Sequence, residues 1–220
     1  MAITAKKGEG FERELIPAGN YVARCYKMIE IGTVPTEYMG ETKMLHKVRI
    51  GWELPTELKV FNPEKGEQPC VIDKEYTLSL GEKSNLRKDL QSWRGKAFTE
   101  AEAEAFDITK LLGVPCMLNI IHVQGKKDTS KTYQAIGSVS PMPKGLECPA
   151  QINPTFTFEF DNFIQDKFDS LPDFIKDQIK TSEEYKALTN PTQDAFPVTS
   201  DLKEEEHDDL PFWENENLNL

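Results

Sequence analysis

The stretch Gln68–Pro143 constrains the fold more than any other part of the chain, because it reads as strand, helix, strand, strand. Within Cys70–Leu80 (CVIDKEYTLSL), Tyr76, Leu78 and Leu80 alternate with Thr77 and Ser79, the period of a half-buried strand. In the following GEKSNLRKDLQSWRGKAF, Leu86, Leu90 and Trp93 recur at i, i+4 and i+7 and form one helix face. Ser84 stands at the N-cap position and Gly95 just past the end. GVPCMLNIIHV is then an apolar run of strand length, QGKKDTSK a polar, lysine-rich turn, and TYQAIGSVS an alternating strand again. A helix between a third and fourth strand, then a hairpin into a fifth, is the order of a five-stranded Greek-key barrel. This mainly β class with helices requires two more strands upstream.

Both are present. In Asn20–Ile31 (NYVARCYKMIEI), each parity carries apolar residues, as expected of a long strand that bends to join two halves of a barrel. In Lys43–Leu54 (KMLHKVRIGWEL), His46, Val48, Ile50, Trp52 and Leu54 face one way, and Lys47, Arg49, Gly51 and Glu53 the other. Gly32–Thr42 between them reads as a loop. Pro55–Pro69 reads as a long polar connection at a hairpin tip. Thr99 and Glu102 have capping-box spacing for a second, acidic helix within Ala97–Leu112. Prolines 141, 143, 149 and 154 mark the end of the barrel. Beyond them, Phe160, Phe163, Ile164, Phe168, Phe174, Ile175 and Ile179, interrupted by Pro172, predict two short helices in a 156–188 extension. These either pack back on the barrel or dock a partner. Residues 189–220 are polar, acidic and proline-broken, the composition of a disordered tail.

The net charge of −11 argues against a nucleic-acid partner until its distribution is read. Residues 1–155 hold 21 Lys+Arg against 20 Asp+Glu, whereas residues 199–220 hold 1 against 8. The acidity belongs to the C-terminal third, and a near-neutral barrel still has room for a basic groove. Four cysteines (25, 70, 116, 148) without a CxxC spacing fit reduced thiols, and the N-terminus has no apolar leader core. The expected location is therefore the cytoplasm, with no membrane span. No phosphate-cradling GK[ST] loop and no GxSxG is present, and the histidines (46, 122, 207) do not cluster. His46 and His122 read as core residues on apolar strands. A non-enzyme that needs no metal or cofactor is the expectation.

Binding of single strands combines cations along the phosphates with aromatics that stack bases. Arg24 and Tyr26 on the first strand, Tyr38 in the first loop, and Lys43, Lys47 and Arg49 on the second strand fit this pattern. Lys126, Lys127 and Lys131, with Tyr133 beyond them, add a basic turn between the last two strands. In this barrel type the face of strands two and three, with the first and last hairpin loops, is the usual ligand surface. Arg87, Lys88, Arg94 and Lys96 on the helix read as water-facing charges. The tail carries Asp208, Asp209, Leu210, Pro211 and Phe212, an acidic run with an apolar anchor suited to a basic pocket on a partner or on its own barrel.

PAGNYVARCYKMIEIGT, KVRIGWELP, YTLSLGEKSNLRKDLQSWRGKAF, LLGVPCMLNIIH and TYQAIGSVSPMPKG together resemble the phage-encoded single-stranded DNA-binding proteins with an oligonucleotide-binding (OB) barrel, over residues 16–146. The resemblance implies sequence-tolerant, non-catalytic binding of single-stranded DNA in replication or recombination, in a bacterial or infected-host cytoplasm. The tail is similar to the acidic, Pro-Phe-ending tip of bacterial single-stranded DNA-binding proteins, which recruits replication and repair partners. Here WENENLNL follows Phe212, so the terminal carboxylate of that tip is displaced. The alternative is a protein-interaction adaptor of a replication or recombination complex that does not touch DNA.

Overall fold

The computed structural model describes residues 14–38, 40–125 and 128–190. Five long strands, β1 (Gly19–Tyr38), β2 (Glu41–Asn62), β3 (Gly66–Thr77), β4 (Pro115–Gln124) and β5 (Thr132–Ser140), form one antiparallel sheet in the order β3-β2-β1-β4-β5. The sheet curls until its two ends touch, and Lys74 Nζ on β3 lies 3.5 Å from the Ile136 carbonyl on β5. The inner face carries Ala23, Cys25, Met28, Val48, Ile50, Trp52, Leu54, Leu118 and Ile120, all buried. Burying side chains of this size contributes about 1.5–3 kcal/mol each.

One end of this core is closed by α1 (Asn85–Arg94), whose Leu86, Leu90 and Trp93 are buried as the i, i+4, i+7 spacing requires. Trp93 packs 5.9 Å from Trp52 and donates its indole N–H to the Pro115 carbonyl. Gly95 ends the helix at φ 64°, while the Ser84 hydroxyl bonds the Ser79 carbonyl rather than capping the first turn. Arg87 is not water-facing: it is 6% exposed and donates to the Leu80 and Phe98 carbonyls and to Glu100. Arg94 lies over the Phe98 ring at 4.2 Å. The Thr99–Glu102 capping box is formed, but α2 runs only over Glu100–Glu104. Asp107 then accepts from the Thr109 amide and starts a separate 3-10 turn over Ile108–Leu111.

A second core lies on the outer face of β1. A short strand, β6 (Phe156–Phe158), pairs in parallel with Lys27–Ile29, and α3 (Gln165–Asp169), α4 (Asp173–Lys180) and α5 (Glu183–Thr189) follow. Ile29, Ile31 and Val34 pack there against Phe158, Phe168, Leu171, Ile175 and Ile179. This explains the apolar character of both faces of β1: register shifts at Cys25/Lys27 and Glu30/Gly32 turn successive residues to opposite sides, and both sides are covered. Gly32 is the closest approach. Its φ is +86°, and a Cβ there would sit 2.5 Å from Glu184 Oε2 and 2.8 Å from Phe160.

Four expectations change. The extension contains three helices and a strand where two helices were expected, and its apolar face packs back on the sheet. The supposed loop Gly32–Thr42 is a paired arm of β1 and β2, with Thr33 opposite His46 and Tyr38 opposite Glu41. Pro35 is tolerated because β4 pairs with β1 only over Gly19–Arg24, leaving the far half of β1 an edge. The Pro55–Pro69 connection is likewise a paired arm, with Leu58 opposite Pro69 and Asn62 opposite Gly66. β3 stops at Thr77, before Leu78 and Leu80. No described helix is long and apolar enough to cross a membrane.

Candidate nucleic-acid interface

Lys47 and Arg49 lie on the outer face of β2, where alternation placed them, but neither is a bare cation. Lys47 Nζ is 2.8 Å from Glu75 Oε1. Arg49 Nε is 3.5 Å from Asp73 Oδ2, and its Nη1 is 3.8 Å from Glu75 Oε2. Lys27 reaches the same Asp73 oxygen at 3.2 Å. The register explains this: Arg49 stands opposite Glu75, and Lys47 and Gly51 stand opposite Thr77 and Asp73. Burial pulls the Glu75 carboxyl upward, but hydrogen bonds from Lys47 and Gln178 and the charges of Lys47 and Arg49 hold it net below the ordinary range. The row therefore sets three cations against two carboxylates.

A cleft of about 830 Å³ opens beside this row, between the β1–β2 arm and the loop from β3 into α1. Lys47, Lys74 and Lys83 line it together with Thr36, Thr77 and Asn85, and Glu75 and Glu82 share its walls. The Lys74 ammonium is held 2.6 Å from Asp89, which also accepts from the Tyr76 hydroxyl at 2.8 Å. Lys83 sits in the turn before α1 and has no ion pair among the described residues. Lys74 and Lys83 were missed in the sequence. Lys74 shares the inward parity of Ile72 and Tyr76, and Lys83 stands in a polar turn where a solubilising charge is the ordinary reading.

The other candidate residues among those described do not line this cleft. Arg24 is bound to protein: its guanidinium donates to the carbonyls of Gly113 (2.5 Å), Cys148 (3.2 Å) and Pro149 (2.9 Å) and pins the proline-rich connection to β1. Tyr26 is half-buried, and desolvation, then Asp73 and Glu53, push its hydroxyl up. Tyr38 ends β1 at the arm tip, and Lys43 lies 3.5 Å from Glu41 nearby. Lys131 lies 3.7 Å from Asp128, and Tyr133 is an exposed ring on β5. Lys126, Lys127 and the tail residues Asp208, Asp209, Leu210, Pro211 and Phe212 lie outside the described residues.

The histidines also differ from expectation. His122 is exposed and bonds the Ile16 carbonyl at 2.8 Å. His46 bridges Glu30 (2.8 Å) and Glu184 (3.7 Å), tying α5 to the β1–β2 arm. Among the described residues, no group of three or more His, Cys, Asp or Glu is arranged to hold a metal ion. Burial pushes the Cys25 thiol up to about 12, so it is no thiolate at neutral pH. No protein-family model, curated protein or solved structure matches this chain.

Proposed function

We propose that this chain binds single-stranded DNA without sequence preference, through an OB-type Greek-key barrel acting in replication or recombination in a bacterial or phage-infected cytoplasm. The observation that carries this reading is the lysine-lined cleft beside β2 and β3, at the side of such barrels where oligonucleotides lie. The strand order supports it. β1, β2 and β3 follow one another through hairpins, and β4 returns after α1 to lie beside β1, the order that defines a Greek key. Phosphates would meet Lys83 and Lys47, and the hydroxyls of Thr36 and Thr77 would donate to their oxygens. The role needs no chemistry from the protein, no cofactor and no metal. The acidic tail, with Asp208, Asp209 and Phe212, would recruit replication proteins or compete with DNA for the cations.

Fluorescence polarisation with labelled oligo-dT, at 50 and 200 mM salt, tests this directly. Binding that weakens with salt, with a log–log slope of about −0.7 per phosphate contacted, is expected. Lys83→Glu should weaken binding to every sequence alike, and ending the chain at Pro197 should strengthen it. Absence of binding by both the full chain and the shortened one refutes the proposal.

A second reading, the protein-interaction adaptor, is favoured by one observation. Leu58, Val60 and Phe61 stand exposed together on the β2–β3 arm, Phe61 at 59%. Replacing all three by Ser would leave DNA affinity unchanged under the first reading and abolish partner capture under the second.

A further inference from the structure

We propose that Phe174, on α4 and outside the barrel, is a base-stacking platform that extends the DNA path from the cleft across the outer face of β2. This rests on the single-strand reading above and names a contact that the barrel alone does not supply.

Residues 156–190 are rich in phenylalanine, and Phe156, Phe158, Phe160, Phe163 and Phe168 all pack in the second core. Phe158, Phe163 and Phe168 pack edge-on or tilted against one another at 5.6–6.1 Å, Phe160 joins Phe158 at 5.7 Å, and Tyr185 stacks on Phe168 at 5.2 Å. Phe174 is the exception. It is 59% exposed, although Ile175 beside it and Ile179 one turn on are buried in the second core. The helix is therefore anchored by other residues, and the Phe174 ring is not needed to hold it. No other aromatic ring pairs with Phe174 among the described residues.

What does meet the ring is Arg49. Its guanidinium carbon lies 5.3 Å from the Phe174 centroid, within range of a cation–π contact. Arg49 is also tied to Asp73 and Glu75, so the guanidinium that the ring meets is fixed at the end of the cation row. One residue pair further along, Gln178 of α4 donates to Glu75 at 3.0 Å, and Glu75 in turn pairs with Lys47 in the cleft wall. Lys83 and Lys47 line the cleft, Glu75 joins Lys47 to Arg49, and Arg49 meets Phe174, so three cations lead to one exposed aromatic ring. The nearby acids are themselves neutralised: Asp173 by Lys176 at 2.9 Å, and Asp177 by Lys180 at 3.5 Å. A base laid on the open area of Phe174 would bring its phosphate toward Arg49, the arrangement single-strand grooves use.

The full chain and its Phe174→Ala and Phe174→Trp variants are titrated with labelled oligo-dT at several salt concentrations, after circular dichroism has matched their folds. The expected result is an affinity loss of about tenfold for Phe174→Ala, in the range for one stacked base. The salt slope should be unchanged, because no phosphate contact is removed, and Phe174→Trp should bind at least as tightly as the wild type. An oligonucleotide carrying 5-iodouracil should photocrosslink to the peptide containing Phe174. Wild-type binding with an unaffected Phe174→Ala overturns the inference and leaves the single-strand reading standing. A loss accompanied by a shallower salt slope, unrestored by Trp, also overturns it, since Phe174 would then act only by positioning Arg49. A wild-type chain that binds no oligo-dT overturns both.

Discussion

Glu75→Gln should make this protein bind single-stranded DNA more tightly. Glu75 holds Lys47 at 2.8 Å and Arg49 at 3.8 Å, so under the proposed single-strand reading it stands where a phosphate would bind. Each cation released to a phosphate adds about 0.7 to the log–log salt slope, or about fivefold in affinity at 0.1 M salt. Release of Lys47 alone therefore predicts a gain of about fivefold, and release of both cations a gain of about 25-fold. Arg49 keeps its second carboxylate, Asp73, so the measured gain should fall between these limits. The substitution preserves shape, and its amide oxygen can still accept from Gln178. The loss of partly exposed ion pairs should cost stability by no more than about 1 kcal/mol. Polarisation titrations of wild type and variant over 50–200 mM salt give both the gain and the steeper slope. Mild acidification does not imitate the variant, because Glu75 stays ionised below the ordinary carboxylate range. An unchanged or weakened affinity in a variant that melts like the wild type would mean that Lys47 and Arg49 belong to a structural network and not to the interface.

Other consequences concern the joint between the two cores. Glu53 is fully buried and accepts from the Ile152 and Asn153 amides (2.7 Å each) and the Asn153 side chain (2.8 Å), so Glu53→Ala leaves two backbone donors unpaired. At about 1–3 kcal/mol per orphaned group, urea unfolding should show a loss of about 2–6 kcal/mol, and one below about 1 kcal/mol would contradict the assignment. Gly32→Ala should destabilise by about 1–2 kcal/mol from the left-handed backbone alone, and more from the contact with Glu184; thermal melting unchanged from wild type would count against it. Burial pulls the Glu184 carboxyl up, but the Thr33 hydroxyl and amide, with His46, bring it net below its ordinary value. The stability it adds is thus complete above about pH 4.3 and is lost as pH falls through the lower folded value. Protection factors of the α5 amides, taken relative to the intrinsic exchange rate at each pH, should fall between pH 5 and pH 3, and equal protection at both would refute this tie.

The strands that build the sheet core and α1 were legible in the chain itself because their signals are local. Alternation in KVRIGWEL and TYQAIGSVS sets which side is apolar, and Leu86, Leu90 and Trp93 fall on one face whatever they meet. The Thr99–Glu102 capping box is local in the same sense, although it could not foretell that Asp107 would recap the chain after one turn of helix. The hairpin arms were hidden because Pro35, Pro55 and Pro69 resemble loop signals, and only the pairing partners reveal which positions are edges. β6 was missed for a related reason: three residues carry no period, and Phe156–Phe158 is a strand only because Lys27–Ile29 lies beside it.

Tertiary structure alone decided which charges remain available. The sequence determined by itself that Lys47 and Arg49 face away from Val48 and Ile50, since side-chain direction in a strand follows from its two-residue period. It did not determine that Asp73 and Glu75, more than 20 positions later, would stand beside them, or that Arg24 would be bound by carbonyls 89 to 125 residues away. Charge can be counted along a chain, but the potential a ligand meets depends on the distances between those charges, and these exist only after the sheet has set its register.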